Sequence, residues 1–593
     1  MTDGGGVKNT SILSRSALAG AVALSVLVGG AVIPAASATT AQAAPVAASV
    51  VAAKKAKTPK RVSGLKLAKG GSRNHNVRVG WTWQKGVKRY EVQVATDKAF
   101  TKDRVKTVRA NTNSKPAGGR LEVTVEGLKN ATTYRVRVRA VAKNGAKGAW
   151  SAPKKVKTKV HIPERVTSLV ATPGPKPGEV RLTWKHKTTY TTHYRLELAS
   201  TVFNDQKSNL PKKGRKHVRL TIPAKGKSYV IPASVTAKLG LHPASGNHLY
   251  YRFRALNKGT AGTKMRLYPS LHAVQPAREV GTTSGMVPLK VGSYNVVSAR
   301  VGANSQPRKP WSKRKGKVAS TIVASGASVV GLQEVSPSTE EVSADGKTRQ
   351  TESLLAAVRS AARNAGSGAD YAMVRVSPYL EPGSTWGSQG QRILYDKKRL
   401  TLLSDCPEYT GARFYSDSCT ANLATNASDS DEDKRKFVYA KFRDNTSGGE
   451  FWFVSTHLDP RQGAESLRGR QARSIISTMS SLNPQGLPVI VTGDLNSYQN
   501  KSAGNAPHDE LVGAGFRDSF TATNKKNGEY STLNDWYTTV KKYDQGFGVR
   551  LDYILGQGVG DFTDYVNDMA RTDSARGSDH NMVHATAHLP VRF

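Results

Sequence analysis

Hydrophobic and polar residues alternate along the first half of the chain in short runs, among them Val77-Arg78-Val79-Gly80-Trp81, Tyr90–Val94, Leu121–Val125 and Tyr134–Ala140. A period of two with Gly-, Asn- and Lys-rich turns between the runs predicts antiparallel strands that bury one face, arranged as a sandwich. The same order returns from Pro163 to Thr283 in Val180–Trp184, Tyr194–Leu198 and Leu249–Ala255, with residues Asn204–Ala237 reading as a long insertion. After Gly285 the texture changes. Apolar strands now alternate with helical stretches at Lys317–Ala327, Ser353–Ala365 and Leu467–Leu482, the pattern of an α/β layer structure.

The two alternating blocks share a strand-borne Trp followed by a Tyr-initiated strand. In the first, Leu128, Tyr134, Trp150 and Ser151 resemble the late signature of fibronectin type III modules; in the second, Trp184, Tyr194 and Tyr250 match it more loosely. This divides the chain into residues 1–43, a basic linker at 44–60, modules at 61–158 and 162–283, and an α/β domain at 287–593.

The first segment has Lys8 and Arg15, an uncharged apolar run from Ala17 to Ile33, and small residues ending in Ala41-Gln42-Ala43. That is the layout of a secretory signal peptide, with a membrane anchor as the alternative, and it predicts a secreted, extracellular protein. In such a compartment Cys406 and Cys419, the two cysteines of the chain, can close a short loop as a disulfide; two free thiols are the alternative.

Charge sharpens the division. The 593 residues include 89 Lys and Arg against 43 Asp and Glu, a net charge of +46, and forty of those charges fall between residues 51 and 286. So basic a region predicts affinity for a polyanion such as nucleic acid, an anionic cell-wall polymer or lipid headgroups; nothing in the pattern requires an oligomer. Arg135, Arg137 and Arg139 share one strand face, either as a binding surface or as an ordinary solvated one. The charge argues for where the protein is held more than for what it acts on. Removing the modules is accordingly expected to change turnover on a small soluble substrate little.

Polar clusters close successive apolar runs in the last domain: Asn295 after Leu289–Tyr294, Glu334 after Val329–Gln333, His457-Leu458-Asp459 after Phe451–Thr456, and Asp494-Leu495-Asn496 after Val489–Gly493. Asp552 and Gly577-Ser578-Asp579-His580-Asn581 complete the series. Each alone reads as a turn; together they deliver hard oxygen ligands and imidazoles to a sheet rim, as metal-assisted attack on phosphate requires. In this order the motifs resemble the endonuclease/exonuclease/phosphatase superfamily, with Trp311, Arg314, Arg392–Tyr395, Arg468 and Gln471 as supporting matches.

The resemblance implies two immunoglobulin-like sandwiches followed by an α/β four-layer sandwich. It also implies a phosphoric ester hydrolase that uses Mg2+, with Mn2+ or Ca2+ as alternatives. Glu334 would be the principal metal ligand, flanked by Asn295 and Asp579. Asp494 would position or deprotonate water, Asn496 would donate hydrogen bonds, His580 oriented by Asp552 would contact the scissile phosphate, and His457 would stabilise or protonate a phosphoryl or leaving oxygen. Nuclease-type relatives pair that histidine with an upstream carboxylate, which the run Gly387–Arg392 lacks.

A nuclease on extracellular nucleic acid is the leading reading, ahead of a sphingomyelinase-like or inositol-phosphate phosphoesterase, for which Trp386 and Trp536-Tyr537 are the candidate exposed aromatics. A binding protein with an inactive catalytic domain is the alternative from another class. It predicts losses among the metal and water-positioning residues, and the sequence has none.

Overall fold

The computed structural model describes residues 57–591 except 103–104, 112–114, 165, 188, 204–215, 260–261, 267–271, 300–308, 337–347, 378–389, 411–417, 431–433, 501–503 and 538–548. The expected signal peptide, most of the linker and Trp386 lie outside these residues.

Each alternating block folds as a pair of sheets. In the first, Lys66–Ser72, Val77–Thr82 and Arg120–Val125 face a sheet ordered Val105–Asn111, Val87–Ala95, Thr133–Ala142 and Lys154–Lys157. Val79, Trp81, Tyr90, Val92, Val136 and Val138 fill the space between them. The second block repeats this around Trp184, Tyr194 and Phe253.

One expectation is corrected. Most of the described part of Asn204–Ala237 is not an insertion, because His217–Pro223 pairs along the whole length of His193–Ala199 and Ser228–Ile231 pairs with Val180–Lys185. The strand His217–Pro223 carries His217 and Arg219 on its exposed face, so its apolar alternation is diluted in the sequence.

The Arg face of the first module is largely engaged. The Arg137 guanidinium lies 3.9 Å from the Phe100 ring centre and 4.5 Å from that of Trp150, and Arg139 stacks on Trp150 at 4.3 Å while pairing with Glu91 at 2.6 Å. Exposed cations lie instead on the edge strand, at Lys154, Lys155 and Lys157. Lysines there also discourage edge-to-edge pairing.

The last domain has two seven-stranded sheets face to face. One is ordered Tyr371–Met373, Arg392–Asp396, Val329–Gln333, Met286–Asn295, Met582–Pro590, Phe562–Asp568 and Asn524–Lys526. The other is ordered Leu400–Leu402, Lys436–Asp444, Glu450–His457, Val489–Asp494, Asp552–Gln557 and Arg517–Asp518, with Thr420–Asn422 beside the second strand.

Val291, Val329 and Ile393 from the first sheet meet Phe453, Ile490 and Ile554 from the second. Helices Trp311–Ser325 and Gln350–Asn364 cover the outer face of the first sheet, and Glu465–Leu482 and Ala506–Gly513 that of the second, so the four layers run α/β/β/α. Central strands buried on both faces explain the near-continuous apolar runs. Cys406 and Cys419 are joined as a disulfide buried in the inter-sheet core.

The second module and this domain belong to one compact unit that spans Pro59–Phe593. Ala244 joins the core beneath the helices of the second sheet, Arg278 grips both oxygens of Asp561 at 2.7 and 2.6 Å, and the Asp518 N–H donates to Ala244 O at 2.9 Å. At one point the backbones nearly touch. A Cβ on Gly281 would stand 1.6 Å from Gly560 O.

Candidate active site

Strand register assembles the site. Glu450–His457 and Val489–Asp494 run parallel with His457 opposite Asp494, and the antiparallel strand Asp552–Gln557 sets Asp552 opposite Asp494 on the other side. One rung of the second sheet therefore carries His457, Asp494 and Asp552 in a row. Across the sandwich, the parallel pair Met286–Asn295 and Val329–Gln333 sets Asn295 opposite Gln333, so that Glu334 follows at the same rim. Met582–Pro590 runs antiparallel to Met286–Asn295, which brings Asp579 and His580 to that rim as the strand begins.

Asp494 joins the two halves. Its Oδ2 accepts from Asn295 Nδ2 at 3.2 Å and lies 3.6 Å from His580 Nε2 and 3.7 Å from His457 Nε2, while Oδ1 accepts the Asn496 N–H at 2.9 Å. Asn295 Nδ2 also donates to Glu334 Oε1 at 2.9 Å, and the Ser298 N–H donates to Glu334 Oε2 at 3.2 Å. His580 Nδ1 and Asp552 Oδ2 are 2.9 Å apart, leaving Nε2 turned to Asp494. Asn496 donates one amide N–H to Leu458 O at 3.0 Å. Asp579 is partly exposed, and its carbonyl accepts the N–H groups of Asn534 and Asp535. Among the described residues, the carboxylate nearest His457 Nε2 is Asp494 itself, through a long contact.

The ionisable groups are pushed in different directions. Burial alone would lower the His580 imidazole, but Asp552, Asp494 and Asp579 hold it well above its ordinary value. Burial also lowers His457, and Arg435 and His580 add to that against Asp494 and Glu334, so its value stays below the ordinary one. For Glu334, burial opposes ionisation, yet His457, the Asn295 amide, His580 and the Ser298 N–H hold its carboxyl below the usual range. Burial raises Asp552, with His580 pulling the other way.

The local backbone is held in costly conformations. Val297, Glu334 and Asn496 have φ of 57°, 59° and 49°, a region that non-glycine residues, and a β-branched one above all, enter at a cost of order 1–3 kcal/mol. Neighbours enforce it: Arg314 donates to Val296 O and Val297 O, Gln350 Nε2 donates to Val297 O, and the Val297 N–H donates to Asn295 Oδ1. Gly390 lies directly against Glu334, where an added Cβ would meet the Glu334 Cα at 2.7 Å and N at 2.8 Å. Gly390→Ala should therefore displace Glu334, weakening divalent-cation affinity tenfold or more and costing about 1–3 kcal/mol of stability. Calorimetric cation titration beside thermal melting checks this.

The donor set suits a hard divalent cation. Three carboxylates converge, Glu334, Asp494 and Asp552, ligand atoms of Asp494, Asp552 and His580 lie within 4.8 Å of one another, and the buried Asp552 Oδ1 has no hydrogen-bond partner. The oxygens form two groups bridged by the Asn295 amide, Glu334 on one side and Asp494 with Asp552 on the other.

Sequence reasoning did not single out Arg435, whose Nη1 donates to His457 O at 3.5 Å and whose charge is felt by Glu334 and Asp494. It lies in the run Asp431–Lys436, which reads as a solvated charge cluster. Arg468 and Gln471 hold the turn after His457, through Asp459 O at 2.8 Å and the Asp459 N–H at 3.0 Å.

Residues 292–580 match the model of the Endonuclease/Exonuclease/phosphatase family, and residues 61–157 that of the Fibronectin type III domain. Among solved structures, an endonuclease/exonuclease/phosphatase from Bacteroides vulgatus is 20% identical, with a TM-score of 0.38, covering 51% of this chain and 99% of its own. The human Nocturnin catalytic domain with bound sulfate is 15% identical (TM-score 0.32; 51% and 94% covered), and D. rerio TDP2 complexed with single strand DNA product is 17% identical (TM-score 0.32; 51% and 98%). A search of curated proteins returned no match.

Proposed function

Residues 292–580 are a domain of the endonuclease/exonuclease/phosphatase family and make the chain a phosphoester hydrolase, and from that premise we propose a secreted, Mg2+-dependent nuclease acting on extracellular nucleic acid. The observation that carries the reading is the rung His457, Asp494, Asp552 facing Glu334, Asn295 and His580.

Hydrolysis in this family depends on a divalent cation. Glu334, with Asn295 and Asp579 beside it, would hold the ion, which neutralises charge on the phosphate when bound. Asp494, with one oxygen fixed by the Asn496 N–H, orients the attacking water and accepts its proton. His580, held by Asp552, directs Nε2–H at a phosphoryl oxygen, and His457 serves the opposite side of the same group. Mn2+ and Ca2+ are alternative occupants.

The basic modules support a polymeric anionic substrate, bound in a salt-sensitive, sequence-independent way. The Cys406–Cys419 disulfide and the Lys8–Ala43 pattern support export. The full chain should nick plasmid DNA or degrade RNA with Mg2+, lose this activity in chelator and regain it with added Mg2+. Cleavage of sphingomyelin with both nucleic acids left intact would move the substrate to the lipid class.

A further inference from the structure

The loop that leaves the catalytic rung is held from outside the catalytic domain. Three residues beyond Asn496, the Gln499 side chain donates from Nε2 to Ser200 O at 2.8 Å and to His248 O at 2.7 Å, and its Oε1 accepts the His248 N–H at 2.9 Å. Next to it, Asn500 Oδ1 accepts the Val202 N–H at 3.2 Å and Asn500 Nδ2 donates to Tyr250 Oη at 2.6 Å.

These partners sit where two strands of the second module part. Ala199 and Tyr250 are the last pair of that ladder, and the Gln499 amide takes the backbone groups of Ser200 and His248 that the diverging strands can no longer offer each other. A primary amide, with donors and acceptor in one plane, is suited to that substitution. From the inner side, Ser497 is fully buried, donating to Glu465 Oε1 at 2.5 Å and accepting from Tyr553 Oη at 3.1 Å. The segment from Asp494 to Asn500 is thus strung between two anchors, with the left-handed Asn496 inside the span.

We propose that the second module positions the catalytic loop, with Gln499 and Asn500 as the positioning residues through which it fixes Asp494 and Asn496. The inference rests on the reading of Asp494 and Asn496 as catalytic. It replaces the expectation that the modules only localise the enzyme and can be removed without effect on turnover.

The test uses the full-length protein and a small chromogenic phosphodiester that needs no polyanion site. Gln499→Ala and Gln499→Glu should each lower kcat by about 10- to 100-fold with KM changed less than about twofold. The glutamate variant keeps the side-chain volume and the acceptor for His248 N–H but turns an oxygen toward Ser200 O and His248 O, so a space-filling role predicts little effect from it. Asn500→Ala is the milder variant should either Gln499 change fail to fold. Arg278→Ala, which loosens the same seam away from the loop, should lower the melting temperature and leave kcat unchanged.

Hydrogen exchange of the amides at 495–498 gives a readout independent of activity. It should quicken about tenfold or more in the Gln499 variants and not in Arg278→Ala. Full kcat and unchanged exchange in the Gln499 variants, or an equal loss of kcat in Arg278→Ala, would overturn the proposal. If the unaltered protein cleaves no phosphodiester, the functional reading falls, and the exchange measurement still decides whether the module holds the loop.

Discussion

Asp494→Ala should reduce turnover on a phosphodiester by about 100- to 10,000-fold, the range expected when a positioned base is removed from a preorganised site. Its carboxylate contacts groups from both sheets, accepting from Asn295 and from the Asn496 N–H and facing both imidazoles. No neighbour can take over that position, because Asp552 is committed to His580 Nδ1 and Glu334 lies beyond the Asn295 amide. Asp494→Asn, nearly the same shape, should lose almost as much while keeping the fold, since what disappears is the acceptor charge. Relief of clustered carboxylates should leave its melting temperature level or higher. Steady-state rates of both variants beside thermal melts make the comparison, and activity within threefold of the unaltered protein would remove Asp494 from the mechanism.

The largest stability effect is expected at Asp518. This fully buried carboxylate accepts both arms of Arg550 at 3.0 and 2.7 Å, faces His508 Nε2 at 2.9 Å, and caps the short turn at Ser519 through the Phe520 N–H. Asp518→Ala strands the Arg550 guanidinium in the interior and should cost about 3–5 kcal/mol, the usual penalty for breaking one side of a buried ion pair.

The pH dependence follows with a definite sign. Burial raises the Asp518 carboxyl, but Arg550 and His508 hold it below its ordinary 3.8, so its stabilisation is complete above that value and is lost as pH falls through the folded-state value. For His508, burial lowers the imidazole while Asp509 and Asp518 bring it above its ordinary 6.5. Its contribution is present below 6.5 and fades as pH rises through the folded-state value. Denaturant melts from pH 3 to 9 should show both losses in the unaltered protein, with a shallower acid limb in Asp518→Ala and an alkaline limb reduced to what Asp509 alone sustains. An unchanged acid limb in the variant would place the acid-sensitive group elsewhere.

Much of this was legible in advance because strands advertise their ends. A continuous apolar run that stops at Asn295, Glu334, His457 or Asp494 marks both a buried central strand and a polar group at its rim, and the three expected helices begin within six residues of observed ones, while Ala506–Gly513 was not among them. Register is not written locally. That His457, Asp494 and Asp552 share one rung depends on which strands become neighbours, a matter of long-range packing. Edge strands were the least visible: Val105–Asn111 and His217–Pro223 bear Lys, Arg and His on their open faces, and the apolar signal is thinned accordingly. Gln499 and Asn500 read as turn residues, since nothing in their surroundings indicates a module some 250 positions earlier.

The close passage of Gly281 against Gly560 bears on how such a chain can be inherited. Two backbones that tolerate no Cβ between them couple the fates of positions on either side of the boundary near residue 285. Recombination there would have to deliver a matching glycine and a matching neighbour at once. The second module and the catalytic domain are expected to descend as a single hereditary unit.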